Sequence, residues 1–274
     1  VIDLWRVLRV HNLLIAMAGV VAGGWIALGE VAMPKLLGFA AFSALGLGGA
    51  GNVVNDLWDA SGDRVNRAAA ERPLASGRVT RQAGHLVVWL AMLLGLGAAA
   101  LVSGTQVALA LAALGVMFAY SPWLKRHGYP GNVAVAVVAG LPLFYGALAV
   151  GAPWAGLVPW VLAAWLHLAR EIVKDVEDEP GDRALGRRTI PVRWGRDAAV
   201  RVAWWTSLAF IPLSVVLPLA ARYGAAYFGL AALAQVVIVV AALWLRRERL
   251  HAASRLLKTA MVIGLGALVL GRVT

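Results

Sequence analysis

No cysteine occurs in the 274 residues, so neither a disulfide nor a thiolate metal site can form within the chain. Charge is scarce: 14% of the residues are Asp, Glu, Lys or Arg, against about a quarter in a soluble domain. So little charge cannot cover a core with polar surface, which excludes an ordinary water-soluble domain. Strand patterning is missing too, because the apolar runs are long and no period-two alternation repeats. Lysine is rare, confined to Lys35, Lys125, Lys174 and Lys258. His11, His85, His127, His167 and His251 are scattered without metal-ligand spacing and read as structural or interfacial. The opening VIDLWRVLRVHN has no short apolar stretch ending in a cleavage site, so no cleavable signal peptide is expected.

What is present is apolar: 61% of residues are hydrophobic, and the mean hydropathy is +0.77. The chain reads as all-α, a polytopic membrane protein of one domain over 1–274. A crossing helix needs about 20 mostly apolar residues. About nine candidates lie near 12–29, 35–55, 84–103, 105–121, 131–150, 155–174, 198–220, 224–245 and 254–272. Pro142, Pro159 and Pro212 are expected to kink their helices. The 30 glycines suit helices packed closely in lipid. With the N-terminus on one side, that side collects every Lys and Arg except Lys35, Arg222 and Arg272. Such a bias marks it as cytoplasmic. The net charge of +11 is then a topology signal, with anionic ligands and lipid headgroups as partners rather than nucleic acid.

The acids gather at the same mouth in two clusters. GNVVNDLWDASGDRVNR (51–67) holds Asn55, Asp56, Asp59 and Asp63, and REIVKDVEDEPGDRALGRR (170–188) holds Asp175, Asp178 and Asp182. At an offset of 119 residues, Asp56 falls on Asp175, Asp59 on Asp178 and Asp63 on Asp182. Four spans separate the clusters, so an internal parallel repeat is expected, with halves about 1–122 and 123–245 and an extra helix at 254–272. The i, i+3, i+7 spacing puts each triad within about 60° on one helix face. Like charges so placed repel, and hard oxygen donors at this density suit Mg2+. Two facing clusters could hold Mg2+ against one shared diphosphate. Arg9, Arg72 and Lys125, near helix ends on the same side, are candidate anion contacts. The blander reading is that the acids solvate helix ends, which explains one cluster better than two matching ones. No EF-hand spacing is present.

These motifs resemble the UbiA superfamily of intramembrane prenyltransferases over nearly the whole chain. NDLWDASGD (55–63) is similar to that family's first aspartate-rich motif and DVEDEPGD (175–182) to its second. RPLASGRVT (72–80), YSPWLKRHGYPGN (120–132) and RVHN (9–12) are also similar to family segments. The resemblance implies a helical bundle around a central cavity and a Mg2+-bound isoprenoid diphosphate. It makes Asn55, Asp56, Asp59, Asp63, Asp175, Asp178 and Asp182 metal-binding candidates, with Asp59, Asp63, Asp178 and Asp182 catalytic. Arg9, Arg72, Lys125 and Lys174 become diphosphate contacts, and Tyr120, Asn12 and Arg170 candidates for the cation or acceptor. Around 170–195 the chain is most similar to archaeal ether-lipid enzymes, which place a geranylgeranyl group on the free hydroxyl of geranylgeranylglyceryl phosphate. An aromatic acceptor such as 4-hydroxybenzoate is the alternative.

Some residues stay open. Arg170 and Glu171 are either a structural ion pair or part of the acceptor site. Trp58 lies inside the first motif. Glu177 is about 200° round from Asp175 and is expected to face away from the metal. Loop 64–71 is a candidate for ordering on substrate. A secondary transporter is the non-enzyme alternative, but transporters carry ionisable groups near the bilayer midplane. Here the middle thirds of the spans are nearly free of charge.

Overall fold

The computed structural model describes residues 2–63, 72–184 and 186–273, with residues 2 and 61–63 described in backbone only. Loop 64–71 and the Asp63 side chain therefore lie outside the described residues. The described chain is helical throughout, without strands. Helices α1 (Ile2–Leu8) and α2 (Val10–Leu28) meet at Arg9, whose backbone is left-handed at φ 54°, ψ 52°. That conformation is unfavourable for a residue with a Cβ and persists where surroundings hold it.

Among the described residues, eight helices are long and apolar enough to cross a membrane. They are α2, α3 (Lys35–Asp63), α4 (Arg81–Ala100), α6 (Tyr129–Ala149), α7 (Leu157–Ala184), α9 (Arg196–Ala220), α10 (Ala225–Arg246) and α11 (Leu250–Val273). A further apolar helix, α5 (Gly104–Tyr120), is shorter, and α8 (Ile190–Trp194) is a short helix of five residues whose Ile190 and Pro191 are buried. Thr80 and Ser103 begin α4 and α5 by accepting from the backbone N–H groups of Ala83 and Gln106, which satisfies donors a helix start leaves open. The outer face is apolar: Leu86, Trp89, Leu90 and Leu93 of α4 are all exposed, as a lipid-facing helix requires.

The interior forms two hydrophobic clusters. One is built around Val7, Leu37, Val53 and Leu114, the other around Ile172, Ile238, Leu245 and Leu257. Helices α2 and α6 contribute to both and pack on one another. Gly23 lies against the Leu143 backbone and Gly146 against that of Val20. Any side chain there would force the helices apart.

Two helices are longer than a bilayer needs. α3 has 29 residues and α7 has 28, each about 42 Å long against a hydrocarbon core of about 30 Å. Both continue past 55 and 174, where hydropathy alone ends the spans, and the acidic clusters ride on those overhangs. Pro180 sits inside the α7 overhang and cannot donate to the Val176 carbonyl. Arg196 Nη1 donates to that oxygen instead, at 3.1 Å. Pro142 and Pro212 lie inside α6 and α9. Pro159 is in the first turn of α7, where no intrahelical N–H bond is lost and no kink is called for.

Candidate active site

The overhangs of α3 and α7 face a cavity of about 1170 Å³. Asn55, Asp56 and Asp59 line it from α3, and Glu171, Lys174, Asp175, Asp178 and Asp182 from α7, at the three- and four-residue steps that share a helix face. Arg9 and Asn12 come from the α1–α2 break and its following turn, Arg72 from the strand-free segment before α4, Tyr120 from the end of α5, and Lys125 from the turn at 124–127. Farther along α5 and α6, Val116, Met117, Val135, Val138 and Ala139 make the wall apolar. The cavity thus has a charged end and a greasy end.

Asp56, Asp59 and Asp182 are buried. Burying a carboxylate is costly unless it is paired, and each has a cation. Arg9 Nη2 is 2.5 Å from Asp56 Oδ1, and Lys125 Nζ is 2.6 Å from Asp59 Oδ2. Arg187 reaches both clusters, with Nη2 3.2 Å from Asp59 Oδ1 and Nη1 3.0 Å from Asp182 Oδ1. Asp175 accepts from Asn132 Nδ2 at 2.8 Å, Asn55 Oδ1 accepts from the Ser121 hydroxyl, and Lys174 donates to both oxygens of Glu171 at 2.9 Å.

Of the metal, diphosphate and acceptor candidates read from the sequence, the cavity gathers all but two. Asp63 is outside the described side chains. Arg170 is off the cavity wall, its Nη1 3.7 Å from Glu171 Oε1, a position that favours the structural ion pair over the acceptor site. Trp58 is 58% exposed and points away from the cavity. Glu177 also faces away, 3.0 Å from His251. Sequence reasoning missed Arg187, Asn132 and Ser121. The one signal for Arg187 was its place in the GRR run five residues beyond Asp182.

Among the described residues, no three acidic or histidine side chains already surround one point. The donor chemistry nevertheless fits Mg2+, which takes oxygen ligands, keeps several waters, and is commonly held by one or two carboxylates plus substrate phosphates. The clusters offer carboxylates and the Asn55 amide oxygen and no sulfur.

Residues 16–263 match the UbiA prenyltransferase family. Digeranylgeranylglyceryl phosphate synthase of Thermococcus gammatolerans is 35% identical over 272 residues, covering 97% of this chain and 96% of that protein. The protein of the same name from Halobacterium salinarum is 36% identical, covering 96% and 95%. Among solved structures, one from work on digeranylgeranylglyceryl phosphate synthase in membranes superposes with TM-score 0.81 at 23% identity, covering 99% of this chain and 98% of that one. A UbiA homolog from Archaeoglobus fulgidus bound to GPP and Mg2+ gives 0.74 at 18% identity, covering 97% and 99%. The two structural likenesses concern the fold.

Proposed function

The chain belongs to the UbiA prenyltransferase family and is a multi-pass membrane prenyltransferase, and from that premise we propose that it moves a geranylgeranyl group from its diphosphate to the free hydroxyl of geranylgeranylglyceryl phosphate, in archaeal ether-lipid synthesis. The acceptor is supported by the name its relatives carry over nearly the whole chain. The observation that carries the proposal is the meeting of two acidic helix faces with several cations at the charged end of an apolar cavity. A diphosphate head with a long apolar tail has the same division.

Asn55, Asp56, Asp59, Asp63, Asp175, Asp178 and Asp182 would hold Mg2+ together with phosphate oxygens. When bound, Mg2+ offsets the carboxylate and diphosphate charge and stabilises the leaving group. The rest falls to the chain. The allylic C–O bond breaks with its electron pair leaving on diphosphate, and Arg9, Arg72, Lys125 and Lys174 meet that charge. Lys125 and Arg9 stand against Asp59 and Asp56, so these cations are already at the site. Val116, Met117, Val135 and Val138 keep water from the allylic cation. Tyr120 and Asn12 line the same cavity and are the candidates to meet the cation or the acceptor, whose oxygen forms the new C–O bond as its hydroxyl proton passes to the released diphosphate. The charge bias supports a cytoplasmic mouth. The 119-residue offset between the two acidic clusters supports the internal duplication.

Purified protein in lipid, with labelled geranylgeranyl diphosphate and Mg2+, tests this when geranylgeranylglyceryl phosphate and 4-hydroxybenzoate are offered separately, each with an EDTA control. Metal-dependent transfer to the glyceryl phosphate is expected. Transfer to the aromatic acid alone would move the enzyme to quinone synthesis.

A further inference from the structure

We propose that Arg187 is a clasp that sets the spacing of the two acidic faces, a positioning residue acting on the diphosphate site from outside its cavity. Its importance for the reaction rests on the diphosphate reading above; the clasp itself does not.

The guanidinium spans two helices. Its two terminal nitrogens reach Asp59 on α3 and Asp182 on α7, a two-armed geometry that an ammonium cannot reproduce. Both acids line the cavity and Arg187 is not among the residues lining it. On Asp59 the other oxygen is the one that meets Lys125 on the cavity wall.

The spacing needs such a device. α3 and α7 scarcely touch among the described residues; α2 and α6 lie between them. Their acidic ends extend beyond the bilayer's reach and repel one another. Arg187 is itself well anchored. Its backbone N–H donates to the Asp182 carbonyl at 2.9 Å, folding the chain back over the end of α7. The adjoining Arg188 carbonyl packs against Gly128, which has φ 67° and where an added Cβ would lie 2.7 Å from that oxygen. Gly128 follows the turn that carries Lys125. The two loops whose cations hold Asp59 are therefore packed on each other.

The absence of cysteine makes a direct test available. Spin labels on Trp58→Cys and Ala184→Cys, both exposed in the parent, report the separation of the α3 and α7 ends by double electron–electron resonance in lipid nanodiscs. Arg187→Gln should lengthen and broaden the distance distribution, and Mg2+ with geranylgeranyl diphosphate should narrow it again. Arg187→Lys should fall between. In the unlabelled enzyme, Arg187→Gln should raise the donor KM about tenfold while kcat stays within about twofold, since the lost contact is to metal-binding acids rather than to reacting atoms. An unchanged distance distribution would overturn the clasp, as would a loss confined to kcat. If Arg187→Gln fails to fold, Arg187→Lys decides by the same distances. The distances need no turnover. A widened pair in a protein that transfers to no acceptor would keep the clasp and remove the reading of the reaction; an unchanged pair in an active enzyme would remove the clasp alone.

Discussion

Lys125 Nζ stands 2.6 Å from Asp59 Oδ2, joining side chains 66 residues apart on one cavity wall. The lysine offsets a buried carboxylate and also stands where a diphosphate would arrive. Lys125→Ala should raise the donor KM roughly thirtyfold, about 2 kcal/mol, because it removes a cation from the diphosphate site and leaves the Asp59 carboxylate with Arg187 but without its partner on the cavity wall. Steady-state kinetics with varied donor would measure it, and an unchanged KM would remove Lys125 from the diphosphate site.

Asp59→Asn and Asp182→Asn should each lower transfer by about a hundredfold or more, the scale of losing one transition-state charge contact. Both variants should remain folded, since each removes a charge from a crowded acidic end. Transfer assays alongside gel filtration would check this. Full activity in either would sink its metal assignment.

Asn132 Nδ2 donates to Asp175 at 2.8 Å from the start of α6. Asn132→Ala leaves a carboxylate oxygen without its donor, a loss of about 1–3 kcal/mol in stability. Transfer should also fall about tenfold or more, as when a group orienting a metal ligand is removed. Thermal unfolding in detergent and the transfer rate would be read together.

The Val176 carbonyl, left without its helical donor by Pro180, is taken by Arg196. Arg196→Ala should loosen the end of α7 by about 1 kcal/mol, seen as faster hydrogen exchange over 176–184. Pro180→Ala restores the missing N–H, so the double variant should recover most of the loss. A strictly additive cycle would contradict the coupling.

The spans are legible in the sequence because lipid demands long apolar runs with satisfied backbones. The overhangs are less so: hydropathy falls away at Asn55 and Lys174, while α3 and α7 run on to Asp63 and Ala184. The acids' three- and four-residue steps are the helical signal that continues there. Asp56, Asp59, Asp175 and Asp182 stand out because they recur as a pattern. Arg187, Asn132 and Ser121 do not. Each reaches its acid or amide from a loop, a helix start or a helix end, and one-dimensional spacing does not encode the direction of such a turn. The left-handed break at Arg9, which brings its guanidinium to Asp56, is hidden for the same reason.

In the proposed mechanism the two acidic faces act as one site for Mg2+ and a diphosphate. Calorimetric titration of geranylgeranyl diphosphate into the protein without acceptor, with Mg2+ and then with EDTA, tests it most directly when repeated on Asp59→Asn and Asp182→Asn. Binding should need Mg2+ and be lost in both variants, one from each face. Binding that survives EDTA, or that ignores either substitution, would contradict it.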